Sequence, residues 1–443
     1  MTIYALSSGP GISGVAVIRI SGPDTKEVLL KLISGELPKP RVATLKKINK
    51  INTNEIIDEG IILWFPGPQS YTGEDMAEFH VHGSRSVIEA LHSSISSING
   101  CRLAEPGEFT KLAFQNNKIN LLKAESIGDL ISSETEIQRR QAIKMITGDN
   151  NKIYNSWRKR LLKILSYIEA KIDFPEDDLP KDIDQKIKVE ANLIKTEIIK
   201  KLDDQKIGER IREGFKIAIV GPANAGKSTL LNYLSKRKVA IVSEIAGTTR
   251  DVIETHLNID GFPVIVSDTA GIRESKDEIE REGIKLALKK AEDADLNIVL
   301  IEPKNADFAG FLRDLINDRS ILVVNKSDLG IDDMILDFKK YNPIYLSLKK
   351  EKNIDELILK IKERLNKLFI RSEDILITRE RHRQHLEQCV SYLENFDNKK
   401  DTEDFDKASE DLRLATRQLG MIVGKVDVEE ILGSIFSDFC IGK

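Results

Sequence analysis

The residues able to do chemistry crowd the middle of this 443-residue chain. Gly221-Pro222-Ala223-Asn224-Ala225-Gly226-Lys227-Ser228 follows the apolar run FKIAIV (215–220) and precedes TLLNYL. Glycines at this spacing ahead of Lys-Ser let backbone N–H groups turn inward around a β-phosphate, and a helix N-terminus adds positive potential. Lys227 brings charge to the β and γ phosphates, and Ser228 offers a hydroxyl to Mg²⁺. Asp268-Thr269-Ala270-Gly271 closes the run PVIVSD (263–268), where a carboxylate reaches Mg²⁺ through water and the Gly271 N–H senses the γ-phosphate. Asn325-Lys326-Ser327-Asp328 closes SILVVNK (320–326). A carboxylate at Asp328 can accept from the ring N–H and the amino group of guanine, a donor pair that adenine does not present, which selects GTP over ATP. Ser347-Leu348-Lys349 fits a base-contacting loop, and Gly247-Thr248-Thr249-Arg250 supplies a switch threonine, with Thr249 assigned to Mg²⁺ beside Ser228. The expected nucleotide contacts are Asn224, Ala225, Gly226, Lys227, Ser228, Thr229, Ser243, Glu244, Ile245, Ala246, Gly247, Thr248, Thr249, Asp268, Thr269, Ala270, Gly271, Asn325, Lys326, Asp328, Ser347, Leu348 and Lys349.

The residue after Gly271 bears on hydrolysis. Ras-like enzymes use a glutamine there to orient the attacking water, and this chain has Ile272, which cannot. Glu280, at the end of Ser275-Lys276-Asp277-Glu278-Ile279-Glu280, has two open readings: a group that orients water, directly or through a second water, and part of a solvated acidic loop. No arginine is marked as a finger. Asn224 and the segment from Ser243 to Thr248 can surround a monovalent cation beside the phosphates, supplying the charge a finger would bring.

These motifs need elements to hold them. FKIAIV, PVIVSD, LNIVLI (296–301) and SILVVNK read as buried parallel strands with helical patterns between most of them, an α/β sheet over 214–370. Residues 1–118 have an α+β texture, with strands at VAVIRI (15–20) and IILWF (61–65), a loop over FPGPQSYTGEDMAEFHVHG (65–83) and a helix from Ser86. Over 119–213, Ile153, Trp157, Leu161, Ile164, Leu165, Ile168 and Ile172 form one helical stripe that ends at Phe174-Pro175, and the acidic run 174–184 reads as a solvated loop. Ala408, Leu412, Ala415, Leu419 and Ile422 predict a further helix within 371–443. The expected fold is multidomain α/β and α+β, with the α/β domain inserted into a discontinuous helical one.

Composition bounds the answer. Sixty-seven Lys and Arg against 71 Asp and Glu leave a net charge of −4, and 41% hydrophobic with 31% charged residues excludes disorder as the main theme. The length suggests roughly three domains at about 150 residues each. A near-neutral chain cannot hold nucleic acid by bulk attraction, so an RNA partner needs a local patch or a second protein. Cys101, Cys389 and Cys440 are far apart and odd in number, against a disulfide framework or structural zinc. MTIYALSSGPGISG lacks the basic and apolar regions of a leader, and no run approaches roughly 18 apolar residues, so a cytoplasmic protein without a membrane span is expected.

Segments outside the nucleotide motifs carry a family likeness: Ile18-Arg19-Ile20-Ser21-Gly22, Tyr71-Thr72-Gly73-Glu74-Asp75, Pro106-Gly107-Glu108-Phe109 and the terminal Phe439-Cys440-Ile441-Gly442-Lys443. With the inserted GTPase motifs, the chain resembles the MnmE (TrmE) family of tRNA uridine 5-carboxymethylaminomethyl modification GTPases along its whole length. The resemblance implies an N-terminal α+β folate-binding and dimerisation domain (1–118), a discontinuous α-helical domain (119–213 and 371–443, the latter ending in Cys-Ile-Gly-Lys) and an inserted Ras-like α/β G domain (214–370). It implies K⁺-stimulated hydrolysis on G-domain dimerisation, with Asn224, Ser243, Ile245 and Thr248 as K⁺ ligands and Glu280 as the catalytic glutamate. Arg273 matches a family arginine to which no role is assigned. For 5-formyl-tetrahydrofolate or a related folate the matching positions are Arg19, Glu78, Lys118 and Lys443. A carboxylate such as Glu78 can pair with the amino and ring N–H edge of a pterin, while Arg and Lys suit a glutamate tail or carbonyl oxygens. The implied partners are a second copy of the chain, an FAD-dependent MnmG-type subunit in a heterotetramer, and tRNA. The implied activity is addition of an aminomethyl or carboxymethylaminomethyl group at C5 of the wobble uridine (position 34), with folate as the one-carbon source.

Two residue sets have competing readings. Cys440 reads as packing, as a lone terminal cysteine does, and beside a folate pocket a nucleophilic role is the second reading. His80 and His82 form an H-x-H whose i and i+2 positions would share a face on a strand, but no third ligand is marked, so structural use is preferred over metal. The rival function from another class is an Era-like GTPase switch in RNA binding or ribosome assembly without one-carbon chemistry. It requires a basic RNA-binding module beside the G domain, which the chain lacks.

Overall fold

Period-two alternation builds the first sheet. The computed structural model describes the chain outside residues 52, 54, 149, 174–181, 223, 237–253, 269–288, 304–314, 331–339, 370–374, 400–404, 427–431, 433–434, 437–438 and 443. Strands β1 (Thr2–Leu6), β2 (Ser13–Ser21), β3 (Thr44–Asn49), β4 (Ile56–Phe65), β5 (Met76–Gly83) and β6 (Cys101–Leu103) pair in the order β3-β4-β5-β2-β1-β6. β1 and β6 run parallel, and the other neighbours are antiparallel. Ala16, Ile18 and Ile20 of β2 pack with Val28, Leu29 and Leu32 of α1 (Thr25–Leu32) and Leu91 and Ile95 of α2 (Arg85–Ser96). Helix α2 starts where the Ser84 hydroxyl accepts from the Val87 N–H at 3.3 Å, satisfying one orphan donor of the first turn. On the other face, α3 (Glu108–Gln115) sets Phe109 against Ile3 and Ala5 of β1.

The expectation of a loop over 65–83 is corrected here: its second half is β5, which pairs on both sides. Ala77, Phe79 and Val81 point into the core while Glu78, His80 and His82 alternate onto the other face. Polar residues on one side disguised a strand whose period is two.

Helices follow: α4 (Leu121–Ile131), α5 (Glu136–Thr147), α6 (Asn150–Asp173), α7 (Ile183–Leu202) and α8 (Ile207–Glu213). Along α6 the expected stripe is present, with Trp157, Leu161, Ile164 and Ile168 buried, while Ile153 and Leu165 are half-buried. Tyr154, which the stripe omitted, is fully buried beside them and meets the Trp157 ring edge-on at 5.8 Å.

The second sheet comprises β7 (Phe215–Val220), β8 (Glu254–Ile259), β9 (Phe262–Asp268), β10 (Leu296–Ile301), β11 (Ser320–Val324) and β12 (Ile344–Tyr345), in the order β12-β11-β10-β7-β9-β8. All neighbours are parallel except β8 and β9. That hairpin turns at Asp260-Gly261, both at positive φ (54° and 91°), the dipeptide that a tight hairpin turn favours. Chain order reverses at β7, which has β9 on one side and β10 on the other, so a crevice opens beyond its carboxyl end. α9 (Lys227–Lys236) follows β7, and α10 (Ile354–Phe369), α11 (Glu380–Asn398) and α12 (Phe405–Val423) complete the described helices. On α12, Leu412, Ala415, Leu419 and Ile422 are buried as their spacing predicts.

Two compact units divide the chain. One is Met1–Gly128 with Asn151–Arg158 and Arg417–Lys443, and the other is Asp129–Asn150 with Lys159–Thr416. Within the second, α8 carries the chain into β7. Ile207 and Ile211 belong to the core under the sheet, and Arg210 pairs with Asp295 ahead of β10 at 2.7 Å. A Cβ on Gly208 would lie 2.0 Å from the Ile377 carbonyl oxygen, so only glycine fits this close approach. Opposite, Glu209 takes both its oxygens to Arg383 of α11 (2.8 and 2.7 Å), which also donates to Asp204 at 2.6 Å and to the Leu202 carbonyl at 3.0 Å. Burial alone would lower the Arg383 pKa, but Glu209 and Asp204 hold it above its ordinary value. Asp129 receives Arg212 at 3.0 Å and Arg379 at 2.7 Å.

Removing Arg383 leaves buried Glu209 and half-buried Asp204 without their donor. Arg383→Ala is expected to cost about 3 to 5 kcal/mol in urea unfolding. The double variant Arg383→Met, Glu209→Met should cost clearly less, and equal losses would mean that the pair is ordinary packing.

Candidate functional site

The phosphate loop is shaped by two contacts that exclude side chains. A Cβ on Gly221 would sit 2.1 Å from the Leu300 carbonyl oxygen of β10, and Gly226, at φ +101°, would push one to 2.4 Å from Asn325 Nδ2. Asn224 takes a positive φ of 63° and is exposed. Lys227 Nζ donates to the Gly221 and Pro222 carbonyls at 2.9 and 2.8 Å, its ammonium folded over the loop. Ser228 and Thr229 open α9 and are exposed.

The residues expected to read the base converge on this loop. Asn325, buried, donates to the Ala225 carbonyl at 2.8 Å and accepts from the Leu348 N–H at 3.2 Å, so one amide joins phosphate loop and base loop. The Ser347 hydroxyl, also buried, donates to Asp328 Oδ1 at 2.6 Å. That bond holds the Asp328 carboxyl below the usual range, with Lys350 and Lys349 adding weaker attraction. Asp328 is therefore an oriented, ionised acceptor, as guanine recognition requires. Lys349 is the exposed end of the Ser347-Leu348-Lys349 turn, which a bridge between Ser347 and Lys352 closes.

Of the expected nucleotide contacts, Asn224 to Thr229, Asn325, Lys326, Asp328 and Ser347 to Lys349 are thus brought together, and Asp268 ends β9 directly beside Ile219 of β7. The Ser228 hydroxyl at the start of α9 is a hard-oxygen donor of the kind Mg²⁺ takes. Ser243, Glu244, Ile245, Ala246, Gly247, Thr248, Thr249, Thr269, Ala270, Gly271, Arg273 and Glu280 lie outside the described residues, as does Lys443.

A second cluster lies on the first sheet. Arg19 and Glu78 are direct cross-strand partners on β2 and β5, and Glu78 Oε1 accepts from Arg19 Nε and Nη2 at 3.0 and 2.9 Å. Glu78 Oε2 meets His80 Nε2 at 3.2 Å, while His82 Nδ1 meets Asp58 at 2.9 Å, so each histidine has a carboxylate partner. The Arg19 guanidinium lies 5.8 Å from the Tyr71 ring centre and 5.7 Å from that of Phe109. The C-terminal motif reaches the same place. The Gly442 carbonyl accepts from the Ser7 hydroxyl at 2.7 Å and faces Arg19 Nη1 at 3.5 Å, and a Cβ on Gly442 would strike the Leu6 carbonyl oxygen at 2.2 Å. Exposed Cys440 offers its carbonyl to the Gly107 N–H at 3.4 Å. Lys118 is exposed, with its Cγ within 3.5 Å of where a Gly73 Cβ would stand. The residues that sequence reasoning left without a role are Ser7, Tyr71 and Phe109. The last two sit inside the quoted motifs, and their aromatic character was the available signal.

Family models match both parts of the chain: GTP-binding protein TrmE N-terminus over residues 2–118 and MnmE helical domain over residues 121–440. The chain belongs to the MnmE family. Among its relatives, tRNA modification GTPase MnmE of Pelagibacter ubique (strain HTCC1062) is 68% identical over 443 residues, all of both chains. The proteins of the same name from Rickettsia bellii (strain RML369-C) and Parvibaculum lavamentivorans (strain DS-1) are 45% and 44% identical, again over the whole of each. Membership makes this chain a GTPase of tRNA modification and sets aside the Era-like alternative as its whole function.

If Asp328 reads guanine, Asp328→Asn should weaken GDP binding by about 10²- to 10⁴-fold, the worth of two hydrogen bonds to a charged group at about 1.5 to 3 kcal/mol each. It should also gain affinity for xanthosine diphosphate, whose 2-oxo group accepts where guanine donates. Titration calorimetry with both nucleotides checks this, and unchanged GDP affinity would place the base elsewhere.

Proposed function

We propose that this chain is a K⁺-stimulated GTPase that works as a homodimer with an FAD-dependent, MnmG-type subunit. The complex installs an aminomethyl or carboxymethylaminomethyl group at C5 of the wobble uridine, position 34, of certain tRNAs. The observation that carries the reading is the presence in one family member of two separate built sites: the Asp328–Ser347–Asn325 guanine site and the Arg19–Glu78 pair under the C-terminal motif. The proposed division is 1–118, 119–213, 214–370 and 371–443.

Each site has residues suited to its task. Lys227, now on loop carbonyls, turns to the β and γ phosphates, and Ser228 and Thr249 hold Mg²⁺ there. Asn224, Ser243, Ile245 and Thr248 hold K⁺, whose charge stabilises the transition state in place of an arginine finger. Glu280 orients the attacking water. Arg19, Glu78, Lys118 and Lys443 bind the folate, with Glu78 facing the pterin donors: its Oε1 already accepts twice from Arg19, and its Oε2 keeps a lone pair beyond the one turned to His80. When bound, a formyl-carrying folate supplies the one-carbon unit. Cys440, exposed beside that pocket, stays a second-rank candidate nucleophile.

Dimerisation has support on the open face of the first sheet. Leu45, Ile61, His80 and Val17 form one cross-strand row, and Leu45 is 64% exposed, Ile61 42% and nearby Val15 57%. An apolar row at this exposure suits a second copy of the chain. Among the described residues no helix is long and apolar enough to cross a membrane, and the protein is proposed to act in the cytoplasm with tRNA held partly by its partner subunit.

Hydrolysis by the purified chain should run about 10²-fold faster in K⁺ than in Na⁺, the scale of one lost charge-stabilising group. Glu280→Ala should lower kcat by a similar factor and leave GTP affinity within about twofold. Equal rates in the two salts would remove the cation site, and loss of GTP binding would make Glu280 structural.

A further inference from the structure

Glu302 and Lys326 stand at the carboxyl ends of adjacent parallel strands, one residue past Ile301 of β10 and two past Val324 of β11, which pair in register. The Asn325 N–H bonds to the Ile301 carbonyl at 2.8 Å, fixing the two chain ends side by side. Across them Lys326 Nζ forms an ion pair with Glu302 Oε2. Lys326 adopts a left-handed φ of 59° at the start of the short turn Ser327–Leu329, and its ammonium meets Glu302 while Asp328, two residues on, accepts from Ser347.

We infer that Glu302 is a positioning residue for guanine binding: it anchors the Lys326 ammonium so that the lysine stem lies along one face of the base and stays off Asp328. This rests on the guanine reading of Asp328. Two physical points carry it. First, the groups the structure holds next to Asp328 are the Ser347-Leu348-Lys349 turn, bonded to it and to Asn325, and Lys326, two residues before it in the same motif. A lysine stem stretched between its backbone and a fixed carboxylate presents methylenes and a nearby cation to the ring, a favourable surface for a π-face. Second, Lys326 is the cation nearest in sequence to Asp328, yet the groups that face that carboxylate are Ser347 and, more weakly, Lys350 and Lys349. Without Glu302 the Lys326 ammonium has the Asp328 carboxylate, whose Oδ1 accepts from Ser347, two residues away. Pairing with it would occupy the oxygens that guanine needs. The half-buried setting, 35% exposure for Lys326 and 16% for Glu302, shields the pair partly from the screening that makes surface ion pairs nearly neutral.

The test uses the full chain and GDP as probe, with turnover measured in K⁺. Glu302→Ala, and Glu302→Gln as the variant that keeps volume, should each raise the GDP Kd and the KM for GTP by about tenfold, the size of one lost cation–ring and stacking contact. The kcat at saturating GTP should be unchanged, because the γ-phosphate is remote from this end of the pocket. In a Lys326→Ala background the same Glu302 substitutions should have no further effect, since Glu302 acts only through Lys326. Unchanged GDP affinity in both Glu302 variants would overturn the proposal, as would an equal loss in the presence and absence of Lys326. If Asp328→Asn leaves GDP affinity intact, the guanine reading itself fails, and that result is distinguishable from a failure confined to Glu302.

Discussion

The second unit depends on a charge cluster that ties the inserted sheet to its helical base. The chain enters the sheet through α8 and returns through 375–380 into α11, and Arg383 with Glu209 and Asp204 locks the two crossings together. Arg212 and Arg379 converge on Asp129 beside them. Charges this buried are costly to bring together and more costly to leave unpaired. Arg383 meets both Glu209 oxygens and Asp204 Oδ1, which braces the junction. Because Ile207 and Ile211 sit in the core of the sheet while Glu209, on the same short helix, sits in the clamp, α8 cannot swivel as a loose tether. A rotation of the GTPase domain must instead move α8 and α11 as one body.

The two proposed sites use one device, a short acceptor or donor held in place by a neighbour whose own position the fold dictates. Asp328 is aimed by buried Ser347, and Asn325 ties the loop that reads the base to the loop that cradles phosphate. Glu78 is aimed by its cross-strand partner Arg19, which is flanked by Tyr71 and Phe109. In both places strand register or parallel-strand ends set the spacing, and glycines at Gly221, Gly226 and Gly442 allow backbone to approach where a side chain would collide. Preorganisation of this sort removes the entropy that ordering would otherwise cost on binding.

Much of this was legible in the sequence, for identifiable reasons. FKIAIV and LNIVLI coincide with β7 and β10 because strands covered on both faces show as unbroken apolar runs. β5 hid inside an apparent loop because Glu78, His80 and His82 face away from the core, and β8 was passed over although Asp260-Gly261 marked its hairpin. Nucleotide motifs were readable because each is a local string. The clamp was not, since Asp129, Glu209 and Arg383 are far apart in the chain and their pairing exists only after folding. Arg19 and Glu78 were named through family likeness, and only strand register shows them as partners. The net charge of −4, which first weighed against an RNA role, fits a chain that leaves part of the tRNA contact to another subunit.

The central claim is that GTP turnover in this chain serves modification of the wobble uridine. The direct measurement is mass spectrometry of nucleosides from total tRNA in cells lacking the chain. The aminomethyl and carboxymethylaminomethyl forms of the wobble uridine should disappear, return with the wild-type chain, and fail to return with Lys227→Ala. Unchanged modification in the deleted cells would contradict the account.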